Sequence, residues 1–308
     1  MTSAAPSAPR DLDRRALGRA LSRAARASVA EVLAASVPEP AEGARRIGFT
    51  GPPGAGKSTL VGALARHRAR SAGRIAVVAI DPSSPATQGA VLGDRIRMDA
   101  VVDDPRVFIR SFASRHAQDG LTDNIAEILG VLDAHGFDEI LLETVGVGQT
   151  GYGVRDLVDI EILVLVPGAG DQIQAMKAGI LETADIYVIN KADQPGAAQI
   201  EADLRGVLAL TCPPGTPLPA ILRTRATAQD GIVALDAAIG AGLARAASRP
   251  RDAVRRSRMG QRVRSLLARE LDEVVRDLPD ACFGGTLASL HDAVLRRLCA
   301  AEGSQLRR

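Results

Sequence analysis

Cysteine is nearly absent from this 308-residue chain: Cys212, Cys282 and Cys299 are widely spaced and odd in number. That excludes a disulfide framework and a paired zinc site, and favours a reducing compartment. An excess of one charge sign is missing too. The 38 Lys and Arg against 36 Asp and Glu leave +2, so the balance gives no argument for nucleic acid or an anionic membrane as partner. No apolar run approaches the roughly 18 to 20 residues that span a bilayer, and a soluble, cytoplasmic protein is expected. Internal repeats and long low-complexity tracts are also lacking. What is present is a 46% hydrophobic content, enough for one large α/β domain with helical additions.

The first forty residues are rich in Ala and Arg, but Asp11, Asp13 and Glu31 are unusual for an organellar leader. Leu12, Leu17, Leu21, Val29, Val32 and Leu33 recur at roughly helical spacing, which predicts a helical extension over 1–44 with a face that lies on the main domain. The main domain is expected over 45–247. Beyond it, 248–308 carries Val263, Leu266, Leu267, Leu271, Val274 and Val275 in a helical pattern rich in arginine.

Between these extensions, short apolar runs alternate with longer helix-like stretches. Arg45 to Thr50, Ile75 to Ile80, Val107 to Ile109, Glu139 to Leu142, Ile160 to Val166 and Ile186 to Ile189 are the candidate strands. The alternation predicts a mostly parallel sheet sandwiched by helices, the fold class of a P-loop NTPase once the motifs are added. Ligands of such sheets gather at the carboxyl ends of the strands.

After the first run comes GPPGAGKST. Gly51, Gly56, Lys57 and Ser58 satisfy G-x-x-x-x-G-K-[ST] between a strand and a helix expected from Ser58 to Arg70. Glycines let successive N–H groups turn toward an anion. The backbone of Gly54, Ala55, Gly56, Lys57, Ser58 and Thr59 would hold the α and β phosphates, Lys57 would reach β and γ, and Ser58 would ligate Mg²⁺. Pro52 and Pro53 have no N–H and only shape the turn.

The following strand ends supply the rest. DPSSP begins at Asp81 and GDRIRM contains Asp94, two carboxylates near the phosphates. ETVGVGQ, 143 to 149, ends a buried strand with Glu143, suited to a Mg²⁺-bound water, and offers the Gly146 N–H to the γ phosphate. Val147 stands where many signalling GTPases carry glutamine, with Gly148 and Gln149 beyond it. Lys57, Glu143, Asp94 and Gln149 form the candidate catalytic set. Arg95, Arg97, Lys177 or a partner's side chain is left to neutralise the transition state, so slow unaided turnover is expected. The run to Ile189 ends in NKAD. The Asp193 carboxylate can accept both the ring N–H and the exocyclic amine of guanine, a pairing adenine lacks. Sites built on such hydrogen bonds discriminate by about 10⁴ to 10⁵. Asn190 would support the loop, the stem of Lys191 would cover the purine, and the substrate is read as GTP with GDP as product.

Taken in order, GPPGAGKST, DPSS, GDRIRM, ETVGVGQ, PGAGD and NKAD resemble the MeaB/ArgK family of P-loop GTPases over roughly 45 to 240. The resemblance implies a GTPase chaperone that gates cofactor loading and protects or rescues an adenosylcobalamin-dependent acyl-CoA mutase, methylmalonyl-CoA mutase or a close relative. Carried over by motif, Asp81, Asp94 and Glu143 join Ser58 at the metal and switch, Gly146, Val147, Gly148 and Gln149 form a switch, and Asp171 of PGAGD lies in a further mobile loop. The family's Ser-Ala pair near the base is replaced by Thr224, Arg225 and Ala226, with Thr224 and Ala226 as the matching positions. SFASRHAQDG, Ser111 to Gly120, departs from the family's pattern and leaves the identity of the mutase open. Relatives dimerise through a C-terminal helical arm, so a homodimer is expected; a plain solvated helix is the competing reading. Three rival functions stay open: a nucleotide-dependent kinase of a transport-associated binding protein, a metal-delivery GTPase, and a nucleotide-dependent interaction module with incidental hydrolysis. His67, His116, His135 and His291 are scattered without a CxxC, which disfavours metal delivery.

Overall fold

The computed structural model describes residues 12–35, 43–71, 73–82, 104–114, 122–144, 152–168, 184–212, 215 and 217–305. Seven strands form one sheet: β1 (Arg45–Thr50), β2 (Ile75–Pro82), β3 (Val107–Ser114), β4 (Glu139–Glu143), β5 (Ile160–Leu165), β6 (Ile186–Ile189) and β7 (Ala220–Arg223). Their spatial order is β3-β2-β4-β1-β5-β6-β7, and every ladder is parallel. From β1 the chain runs to one side as far as β3, returns to β4, then builds β5 to β7 on the other side. A crevice therefore opens at the carboxyl end of β1, where the strand order reverses.

Apolar side chains fill both faces, which is why the runs read as continuous rather than alternating. Ile47, Val77, Leu141, Ile162 and Val188 point to the face covered by α3 (Lys57–Arg68) and α7 (Ile232–Ala247). Val78, Ile140 and Leu142 point the other way, under α1 (Arg14–Arg26) and α4 (Ile125–Ala134). On that second face, Leu163, Leu165, Tyr187 and Ile189 meet α6 (Ala197–Thr211). Two short helices, α2 (Val29–Ala34) and α5 (Tyr152–Arg155), complete this part of the chain.

The N-terminal extension lies on the domain through part of the expected apolar set. Leu17, Leu21, Val29 and Val32 are buried, and Leu33 points outward at 51% exposure. Burying Leu17 and Leu21 contributes roughly 1.5 to 3 kcal/mol each. Arg14 donates to the carbonyls of Asp104 and Val107, tying α1 to the start of edge strand β3. After α7 come α8 (Arg251–Arg276) and α9 (Leu287–Gln305). No residue of α8 is buried. Polar side chains strap its inner side to the domain: Arg258 to Asp159, Arg262 to Glu127, and Arg269 to the Asn124 side chain and the Ala27 carbonyl.

Buried charge sits at the amino ends of the strands. Glu139 is fully buried and accepts a bidentate pair from Arg68, at 2.7 and 2.6 Å, while Arg68 also reaches Asp236 and Arg45 reaches Glu139. Burial alone would lower the Arg68 pKa; hydrogen bonding to Glu139 and the charges of Glu139 and Asp236 outweigh it and raise the value. The network clamps the end of α3 to β4 and α7.

Some boundaries differ from the sequence reading. β3 runs to Ser114, five residues past Ile109, because Phe112 buries its ring and the strand stays paired with β2. The opening SFAS of the Ser111 to Gly120 segment is therefore sheet. β2 includes Asp81 and Pro82, β5 stops at Leu165 instead of Val166, and α3 spans Lys57–Arg68 instead of Ser58 to Arg70. β7, Ala-Ile-Leu-Arg, is absent from the candidate strands; it is a partly exposed edge of four residues, too short to stand out as a run.

Candidate functional site

β1 leaves the sheet centre at Thr50, and the chain turns at once. Gly51 has φ +144°, and a Cβ there would lie 2.1 Å from the Val164 carbonyl oxygen. Only glycine fits that approach to β5. Gly54 and Gly56 follow at φ +77° and +80°, also left-handed. Gly56 caps α3 without a side-chain hydrogen bond, and the first turn holds no acidic residue. The N–H groups of that turn have no acceptor within the helix and, with the helix dipole, suit an anion. Lys57 and Ser58 are buried beside them, and Lys57 Nζ donates to the carbonyls of Gly51 and Pro52 at 2.8 and 3.2 Å. Ala55 is fully buried, while Thr59 sits in the first turn of α3.

Ser58 Oγ donates to Glu143 Oε1 at 2.8 Å, joining the phosphate-type loop to the end of β4. Glu143 is in register with Phe49 of β1 and Ala79 of β2. Asp81 lies two residues past Ala79 on the same face of the sheet, and is 5% exposed. Thr144 N–H and Oγ1 donate to the Phe49 carbonyl, fixing how the chain departs from β4. Ser58, Asp81 and Glu143 thus present an all-oxygen donor set of the kind a hard divalent cation such as Mg²⁺ takes. Among the described residues no group of three or more His, Cys, Asp or Glu is placed to hold a metal ion.

The other half of the site is built around Asn190, which is 2% exposed at the end of β6. Its Nδ2 donates to the Ala55 carbonyl at 2.9 Å, and its Oδ1 accepts from Thr224 Oγ1 at 3.1 Å and the Ala226 N–H at 3.3 Å. One side chain therefore ties the glycine loop to the segment after β7. The fit against the loop is close: a Cβ on Gly56 would stand 2.6 Å from Asn190 Nδ2. Lys191 takes φ +54°, and Ala192 N–H donates to the Thr224 carbonyl. Asp193 then lines a cleft of about 340 Å³ with Ala192, Arg223, Thr224, Arg225 and Asp230. Thr224 thus supports the loop through its hydroxyl and Ala226 through its backbone N–H.

The structure thus brings together Gly51, Gly54, Ala55, Gly56, Lys57, Ser58, Thr59, Asp81, Glu143, Asn190, Lys191, Asp193, Thr224 and Ala226. Asp94, Gly146, Val147, Gly148, Gln149 and Asp171, with Arg95, Arg97 and Lys177, lie outside the described residues. Asp230 was missed by the sequence reading, and Arg225 was named there without a role at the cleft. They pair across the cleft rim at 2.9 Å and through backbone hydrogen bonds. The usable signal was the Gln-Asp-Gly turn before α7, where Gly231 has φ +78°.

Comparison with known proteins bears on this geometry. The family model described as methylmalonyl-CoA mutase-associated GTPase MeaB matches residues 15–280. A protein of Pyrococcus abyssi named as a GTPase is 47% identical over 189 residues, 60% of this chain and 58% of its own length. The mitochondrial methylmalonic aciduria type A homolog of Mus musculus is 41% identical over 148 residues, 48% of this chain and 36% of its own length. GTPase ArgK of Escherichia coli K12 is 42% identical over 148 residues, 48% of this chain and 45% of its own length. The chain spans about half the length of the curated relatives it matches. A crystal structure titled LAO/AO transport system kinase has a TM-score of 0.56 at 24% identity, covering 92% of this chain and 97% of that one, and shares the fold.

Proposed function

Because the chain belongs to the MeaB family of methylmalonyl-CoA mutase-associated GTPases, we propose that it binds GTP and hydrolyses it slowly to GDP and phosphate. We further propose that the bound nucleotide gates cofactor loading and the protection or reactivation of an adenosylcobalamin-dependent acyl-CoA mutase. The observation that carries the nucleotide reading is the Asn190 bridge. It ties the glycine loop before α3 to the segment after β7 that borders the Asp193 cleft, which supports a nucleotide with its phosphates at the loop and its guanine at the cleft.

In this reading the N–H groups from Gly54 to Thr59 bind the phosphates, and Lys57 exchanges the carbonyls of Gly51 and Pro52 for phosphate oxygens. Ser58, Asp81, Asp94 and Glu143 would hold Mg²⁺, which when bound neutralises charge building on the phosphate oxygens. Glu143 and Gln149 orient water, Gly146 to Gln149 and the Asp171 loop respond to the γ phosphate, and Asp193 selects guanine with Thr224 and Ala226 supporting its loop. Coupling is reciprocal, so a mutase that prefers the GTP form also tightens GTP binding. Calorimetry of GTP and ATP binding, followed by titration of a methylmalonyl-CoA mutase into the GDP and GTP-analogue forms, tests both steps. Preference for ATP overturns the first; equal mutase affinity for the two forms overturns the second.

The homodimer belongs to the same proposal. Val263, Leu267, Leu271 and Val275 of α8 recur every four residues at 37 to 57% exposure, an apolar row suited to a second copy. Among the described residues no helix is long and apolar enough to cross a membrane.

A further inference from the structure

The outward face of α1 carries Arg15, Arg19, Arg23 and Arg26, while Leu17 and Leu21 are buried on its inner face. At helical geometry the four fall within about 80° of arc over roughly 16 Å of axis. All four are exposed, and among the described residues none has a carboxylate at ion-pair distance. Asp13 is the helix cap: its carboxylate accepts from the backbone N–H groups of Arg15 and Ala16 and feels the charges of Arg19 and Arg15 without forming an ion pair with either.

Like charges four residues apart destabilise a helix by about 0.2 to 0.5 kcal/mol per pair. Arg15 with Arg19, and Arg19 with Arg23, therefore weaken an element that the two leucines hold in place. An added anion relieves that repulsion. The surroundings give the row relief as well as charge. On one flank Arg110 of β3 donates to the Gly18 carbonyl and to Ser22 Oγ, both at 2.6 Å, and joins Arg15, Arg19 and Arg23 around a shallow depression of about 580 Å³. On the other, Arg23 and Arg26 border a cleft of about 910 Å³ between α1, α2, α4 and α8, with Arg258 and Arg262 also in its lining.

We propose that this arginine row docks an acidic segment of a partner protein, its Asp or Glu side chains spaced by four helical residues to match Arg15, Arg19 and Arg23. A membrane fits the face poorly, because Leu17 and Leu21 are committed to the core and the row has no apolar side chain to insert. Nucleic acid fits poorly as well. Neither depression is lined by an aromatic side chain for stacking of bases. The surface shares no residue with the nucleotide site, so the inference stands apart from the GTPase reading.

The test uses the full chain and a fluorescein-labelled peptide of Glu-Ala-Ala-Ala repeats, with binding followed by anisotropy at low and physiological salt. The triple variant Arg15→Gln, Arg19→Gln, Arg23→Gln is expected to bind about ten-fold more weakly. Its Tm should equal or exceed that of the parent, since repulsion has been removed. A control triple on α8, Arg251→Gln, Arg255→Gln, Arg256→Gln, loses the same charge and should bind within two-fold of the parent. Equal weakening in both triples would reduce the effect to net charge and overturn the inference. So would tighter binding of the parent to duplex DNA or to phosphatidylglycerol vesicles than to the peptide.

Discussion

Lys57 shows how far one side chain is committed at this site. It is 7% exposed, and its ammonium rests on the carbonyls of the loop it would serve. Lys57→Ala is expected to weaken GTP binding at least 100-fold with little change in Tm, which calorimetry and thermal melts check together. Asp193→Ala should leave phosphate contacts in place and bring the affinities for GTP and ATP within about ten-fold of each other, since the guanine-specific acceptor is gone; a retained GTP preference would relocate base recognition. These residues were legible in the sequence because their motifs are backbone devices: a left-handed glycine or a strand-ending asparagine works the same way wherever the chain places it. Arg68 and Glu139 were not legible. Their pairing joins positions 71 residues apart, and nothing in the local sequence separates a buried arginine from a solvated one.

Among the elements, β1 to β6 could be read from their apolar runs because the sheet buries both faces. β7 could not, since its exposure follows from its edge position. That edge is held by Glu201 of α6, which binds Arg205 on its own helix and Arg223 of β7. The Arg205 hydrogen bond, followed by the contacts with Arg223, holds the Glu201 carboxyl below its ordinary 4.5. The contribution is therefore fully present above that ordinary value and disappears as pH falls through the lower folded-state value. Exposed pairs of this kind contribute about 0.5 to 1 kcal/mol. Glu201→Gln should lower Tm by about 1 to 3 °C at neutral pH, with the gap to the parent closing as the pH is taken down to about 3. A gap that does not change with pH would assign the loss to packing.

At the level of the whole molecule, two arrangements reach across the fold. The Arg68 network binds helix to sheet to helix beneath the site. Arg68→Met leaves the fully buried Glu139 with the half-exposed Arg45 as its ion-pair partner among the described residues, and should cost about 3 kcal/mol in urea unfolding; adding Glu139→Met should recover most of it. The apolar row of α8 is the interface of the proposed homodimer. Leu267→Glu with Leu271→Glu is expected to convert a sedimenting dimer to monomer without loss of nucleotide binding, and a parent that sediments as a monomer would remove the proposed homodimer.

The contact of Gly51 with β5 sets a limit on any effort to redesign the loop. With the Val164 oxygen 2.1 Å from where a first side-chain carbon would go, a display library randomised at position 51 and sorted for nucleotide retention should return glycine alone. Position 54 has the same handedness but nothing within 4 Å, and should also return asparagine. Neighbouring glycines of one motif thus differ in whether evolution could ever have replaced them.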